Sequence, residues 1–237
     1  MKLLNKKNLL LLTLFISFHS IASNHDPFED FNRTIWVFNE FLDDNIAKPT
    51  AEIYTSITPQ FIEHGVTNFF RNLNELDNAA NQLLQGRPIL ALNDFSRFIV
   101  NSTIGIAGFI DVGSNIGLER HDEDFGQTLG YWGVSTGPFL MLPILGPSTP
   151  RDLAGQSVSS VLGGTFAIEE TEARLALTAL DALETRARYL DVETLIIGDR
   201  YSFIRDSYMQ YQEFETSNGE DLVDDFVEDM DDFLLDE

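Results

Sequence analysis

The chain of 237 residues contains no cysteine. That excludes disulfides, thiolate metal sites, a cysteine nucleophile and a lipid-modified cysteine together. Basic residues are scarce: 15 Lys and Arg face 38 Asp and Glu, for a net charge of −23. Without a basic run to hold phosphates, nucleic acid is disfavoured as a partner. Purely electrostatic docking on anionic headgroups is disfavoured too, so any membrane affinity has to come from apolar burial. Charge vanishes altogether over Gly126–Pro150 (GQTLGYWGVSTGPFLMLPILGPSTP), 25 residues in a row. One helix of that length would cross a hydrocarbon core of roughly 30 Å. Five glycines and four prolines forbid such a helix, because interior proline costs about 3 kcal/mol. A bent apolar segment is buried in protein, lines a cavity, or re-enters at a membrane.

Catalytic signatures are missing as well. The sequence has no HExxH, GxSxG or GxGxxG and no phosphate-binding loop. Past residue 22 the histidines are His25, His64 and His121, far apart. One cluster, His121-Asp122-Glu123-Asp124, has the residue types for a cation site or an acid/base pair. Consecutive loop residues do not converge on one point, which favours a solvated turn. No catalytic, metal or cofactor site is expected.

What is present begins with an export signal. Lys2, Lys6 and Lys7 precede a ten-residue apolar run, Leu9 to Phe18, and Ser20-Ile21-Ala22 supplies a small-x-small cleavage site before Ser23. The run is too short for a span of about 20 residues. Cleavage would remove three lysines and no acids, taking the charge from −23 to −26.

Beyond the signal the pattern is helical and punctuated by proline. Asp26-Pro27-Phe28-Glu29 reads as an N-cap, a first-turn proline and a capping box. An aromatic stripe follows, Phe28, Phe31, Ile35, Trp36, Phe38, Phe41, Leu42 and Ile46, on a helix ending before Lys48-Pro49. Core packing is the ordinary reading of such a stripe, although a membrane-interface stripe has the same sequence. Thr58-Pro59 opens a second helix, residues 78–85 form a short third element stopped by Gly86, and Pro88 starts a fourth. Asn101–Val112 reads as a buried connector, with a half-membrane dip as the second reading. Thr149-Pro150-Arg151-Asp152 starts a helix to about Leu162. Two more cover about 169–190 and 199–214. No sustained period-2 alternation argues for a sheet. Glu220–Glu237 holds ten acids and no base, with Leu222, Val223, Phe226, Val227, Met230, Phe233 and Leu234 at helical spacing. It reads either as an amphipathic helix that forms on docking or as a disordered solubilising tail. The expected organisation is a signal over 1–22, a helical domain over 23–217 and an acidic tail over 218–237.

Several segments together resemble the VacJ/MlaA family of outer-membrane proteins. They are DPFEDFNRTIWVFNEFLDD (26–44), NFFRNL (68–73), NQLLQGRP (81–88), FIVNSTIGIAGFIDVG (98–113), DFGQTLGYWGVSTGPFLMLPILGPSTPRD (124–152), ETRARYLD (184–191) and RDSYMQYQEF (205–214). The resemblance implies an all-α, ring-like domain embedded in the outer membrane around an amphipathic central channel. It implies a non-enzymatic role: phospholipid misplaced in the outer leaflet passes through the channel to a soluble periplasmic carrier of the MlaC type. An inner-membrane ABC transporter then receives it, and trimeric porin is an associated partner. By position in the motif, Tyr131, Trp132, Gly133, Gly137, Phe139, Met141, Leu142, Ile144, Leu145 and Gly146 are expected at the channel wall or gate. One departure stands out: Ser23 occupies the place of the family's lipidated cysteine. The rival readings are a scaffold or porin-binding protein without a lipid path, and a periplasmic hydrolase built on His121 and nearby carboxylates.

Overall fold

The structure is a computed structural model that describes residues 26–162, 170–196 and 198–217. The signal segment, residues 163–169 and the acidic tail lie outside the described residues.

Helix α1 (Glu29–Leu42) starts two residues later than the capping pattern predicts. Asp26 still organises the turn: its carboxylate accepts from the Phe28 amide at 2.9 Å and from Asn32 Nδ2 at 3.0 Å. Glu29 does not close a capping box; it pairs with Arg33 at 2.7 Å. Nor does the helix end before Lys48-Pro49. A π-helical turn (Asp43–Ala47) carries it into α2 (Lys48–Ile57), with the Lys48 amide donating to the Asp43 carbonyl. Proline lacks an N–H and crowds the carbonyl four residues back. The wider turn absorbs both defects at Pro49, so the helix continues where it would otherwise break.

Pro59 precedes α3 (Gln60–Leu84), which runs unbroken through residues 78–84, so the separate third element does not exist. Apolar periodicity fades over its last stretch. Asn78, Asn81 and Gln82 occupy the buried face instead. Gly86, at φ 78°, makes the left-handed turn into α4 (Pro88–Thr103). The short loop lays α4 back along α3, pairing Asn72 with Ser102 and Glu75 with Arg97.

The connector after α4 is buried only in part. Ile104, Ile106 and Ile110 are exposed, whereas Gly105 and Gly108 are buried, and the Phe109 ring turns in, filling the space beside Gly65 that any side chain there would occupy. Two short capped helices follow. The Asp111 side chain accepts from the Ser114 amide at the start of α5 (Val112–Asn115), and Asp124 accepts from the Gln127 amide at the start of α6 (Phe125–Tyr131). Then comes a two-stranded antiparallel hairpin, β1 (Leu140–Leu142) with β2 (Gly146–Ser148), in the register Leu140–Ser148, Met141–Pro147 and Leu142–Gly146. The sequence pattern predicts no sheet, and three-residue strands are too short to show alternation. The Thr149 hydroxyl accepts from the Asp152 amide at 3.2 Å and caps α7 (Pro150–Leu162), as its start signal predicts. Helices α8 (Thr171–Arg188) and α9 (Arg200–Ser217) complete the described chain. The all-α reading therefore holds apart from one small hairpin.

Interior and exterior chemistry are inverted. Among the described residues 18 polar or charged side chains are buried, against seven hydrophobic ones, while 30 large hydrophobic side chains are exposed. A water-soluble fold places these the other way round. What apolar core exists is small: Phe139, Met141 and Tyr201, packed against Ile35, Trp36, Tyr208 and Met209. Among the described residues no helix is long and apolar enough to cross a membrane.

Candidate functional site

The hairpin is fastened to α1 by two asparagines. Asn32 donates to the Phe139 carbonyl at 3.1 Å and accepts from the Met141 amide at 2.8 Å. Asn39 donates to the Leu142 carbonyl at 2.9 Å and accepts from the Ile144 amide at 2.8 Å. Seven residues of helix rise about 10.5 Å, and three residues of strand span about 10 Å. Asparagines two turns apart therefore read a strand at three-residue intervals.

This attachment sorts the ten predicted site residues into different surroundings. Phe139 and Met141 are 3% and 1% exposed and belong to the apolar core. Leu142 is half-buried, while Ile144 and Leu145, at the tip, are 78% and 71% exposed. Ile144 has φ 69°, a region costly for a β-branched residue; the hydrogen bond to Asn39 holds it there. Gly146 follows at φ 80° and completes the reversal. Tyr131 and Trp132 form a second exposed group near the end of α6. The Arg87 guanidinium lies over the Tyr131 ring, and the Trp132 indole donates to the Leu84 carbonyl at 3.2 Å. Gly133 and Gly137, both at positive φ, turn the chain between the two groups.

The aromatic stripe of α1 is not core, contrary to the ordinary reading. Ile35 and Trp36 pack inward, but Phe31, Phe38, Phe41 and Ile46 face out, and Ile53, Ile57 and Phe61 continue the exposed series. Helix α4 repeats the arrangement: Ile89, Leu92, Phe95 and Ile99 face out, while Asp94 and Arg97 on the other side are wholly buried. An exposed apolar surface this extensive marks an interaction site with an apolar partner or phase.

The polar side is densely connected. Arg97 Nε donates to Glu75 at 2.7 Å with both side chains fully buried, and its other nitrogens reach Asp111, Ser114 and the Leu118 carbonyl. Burial alone would raise the Asp111 pKa; hydrogen bonds from Ser114, the Arg97 charge and Asn101 outweigh it and hold the carboxyl at about 2. The His121 run disperses, as consecutive loop residues must. His121 pairs with Asp94 at 2.6 Å, Glu123 accepts from Gln85 at 2.7 Å, and Asp124 caps α6. Among the described residues no group of His, Asp and Glu has metal-site geometry.

Asp77 is the strained member of this interior. Burial, opposed by hydrogen bonds from Ser159 and Asn81, pushes its pKa up to about 6. Its contribution to stability is complete below the unfolded value of about 3.9 and is lost as pH rises through about 6. Asp77→Asn is therefore expected to raise the melting temperature at neutral pH and to flatten its pH dependence over that interval. Thermal unfolding in detergent across the range checks this.

Sequence reasoning missed a cavity of about 440 Å³ between α2, α3 and α8. Tyr54, Glu63, His64, Arg71, Glu184 and Arg188 line it. The only clue in the sequence is Glu63, Thr67 and Arg71 at four-residue spacing, which looks like any solvated helix face.

Comparison with known proteins gives one consistent answer. The family model described as "MlaA lipoprotein" matches residues 24–215. The intermembrane phospholipid transport system lipoprotein MlaA of Shigella flexneri is 36% identical, covering 82% of this chain and 80% of its own length. The Haemophilus influenzae protein of the same name is 32% identical, with 89% of each chain covered. A solved structure described as "Structural basis for maintenance of bacterial outer membrane lipid asymmetry" superposes with TM-score 0.74 at 33% identity, covering 81% of this chain and all of that one.

Proposed function

The chain belongs to the MlaA lipoprotein family, and from that premise we propose that it withdraws misplaced phospholipid from the outer leaflet of the outer membrane. The lipid then goes to a soluble periplasmic carrier of the MlaC type for retrograde transport, and trimeric porin is the proposed companion in the membrane. The observation that carries this reading is the inverted fold: apolar side chains outside, a buried polar interior within. Apolar side chains on the outside suit contact with lipid tails, and the polar interior suits a ring whose channel passes a headgroup. The role requires no bond to be made or broken, and the His121 run, with its side chains engaged apart, does not suit a hydrolase.

The 1–22 segment is proposed to direct export and to be cleaved. With no cysteine in the sequence, retention would rest on the exposed apolar side chains. That is sufficient in principle, since a single acyl chain gives only marginal membrane binding. The test is outer-leaflet phospholipid measured in a strain lacking its own family member. Complementation with this chain and with Ser23→Cys is expected to lower the surface phospholipid equally, and the protein is expected to stay with outer membrane through a high-salt wash. Failure of both forms to lower surface phospholipid would overturn the reading.

A further inference from the structure

The cavity between α2, α3 and α8 contains polar groups left without partners. Glu184 is engaged, accepting from the Thr67 hydroxyl and pairing with Arg188 at 3.0 Å. Glu63 and Arg71 are not engaged: among the described residues neither side chain has an ion pair or hydrogen bond. They lie two turns apart on one face of α3, about 12 Å along the axis, which keeps them from pairing with each other. The Tyr54 hydroxyl, from α2, is buried and also has no hydrogen-bond partner. Buried hydroxyls are normally satisfied, so this one points to a missing group. The volume, about 440 Å³, lies within the roughly 300–1,000 Å³ of small-molecule sites. Exposed Ile53 and Ile57 share α2 with Tyr54.

A cation and an anion held apart, with a hydroxyl donor, complement a ligand carrying both charges. We propose that this cavity binds the headgroup of a zwitterionic phospholipid, the phosphodiester on Arg71 and the Tyr54 hydroxyl and the ammonium on Glu63. The proposal rests on the transport reading and adds a headgroup preference to it. A phosphatidylglycerol headgroup would satisfy Arg71 but offer Glu63 only neutral hydroxyls in place of a cation.

The full chain in dodecyl maltoside micelles, titrated with dihexanoyl phosphatidylethanolamine and dihexanoyl phosphatidylglycerol, provides the test by native mass spectrometry. The ethanolamine lipid is expected to bind severalfold more tightly. Arg71→Gln is expected to weaken both lipids about tenfold, the scale of one charge-assisted hydrogen bond. Glu63→Gln is expected to erase the difference between them while sparing the glycerol lipid. Neither variant removes an intramolecular partner, so thermal melting should not change. Glycerophosphoethanolamine, added as competitor, should displace the lipid only weakly; displacement as strong as by the lipid itself would mean a site for a free metabolite and overturn the lipid assignment. Equal binding of the two lipids, or an Arg71→Gln variant like wild type, overturns this site and leaves the transport reading standing. Binding of neither lipid by the wild type overturns both.

Discussion

Arg97→Leu is expected to destabilise the fold by about 3–5 kcal/mol, the cost of leaving a buried charge without its partner. Arg97 has no exposed surface, and Glu75, also fully buried, lies 2.7 Å from it. The same guanidinium holds Asp111 and the Leu118 carbonyl, tying the α5 turn to α4. Burial already raises the Glu75 pKa against the pull of Arg97, so losing Arg97 drives the carboxyl towards protonation. The double variant Arg97→Leu, Glu75→Leu should recover much of the loss, because it removes both desolvated charges. Thermal unfolding of the detergent-solubilised protein measures each. A single variant as stable as wild type would show that the pair is dispensable.

Paired acids at the hairpin tip, Ile144→Asp with Leu145→Asp, should abolish transport without unfolding the protein. Both side chains are exposed, so they contribute little to packing, and surface substitutions usually change stability by less than about 0.5 kcal/mol. In a bilayer each carboxylate costs about 2.5–3.5 kcal/mol at mid-depth. Outer-leaflet phospholipid should rise to the level of the deletion strain while the melting curve stays put. Met141→Asp provides the contrast, since it buries a charge beside Tyr201 and should fail to fold. Normal lipid asymmetry in the tip variant would remove the hairpin from the lipid path.

Proline made much of the fold legible. Pro59, Pro88 and Pro150 each mark a helix start where the missing N–H is not needed. Pro49 misled, because a π turn accommodates it and sequence carries no signal for π turns. Periodicity showed that α1 is amphipathic but not that Ile35 and Trp36 would turn in while Phe31, Phe38 and Phe41 face out. A helical stripe shows that two faces differ, and the inference that the apolar one points inward assumes water outside. The reading of Asn101–Val112 as buried failed in part, for the same reason. In the hairpin, the glycines and prolines showed that the chain must turn. Which side chains face protein depended on Asn32 and Asn39, some hundred residues away. The cavity was illegible because Tyr54, Arg71 and Glu184 meet only through the packing of three helices.

The asparagine clasp on the hairpin has a consequence for the time before the protein reaches a membrane. A two-stranded ribbon bearing Ile144 and Leu145 at its tip is the kind of edge that recruits a further strand and seeds aggregation. Here Asn32 covers the backbone at Met141 in β1 and at Phe139 just before it, and Pro147 leaves β2 without an amide at its centre. A passing chain finds little ladder to join. The same two amides that position the tip against α1 would keep an exported, still unembedded molecule from polymerising through it.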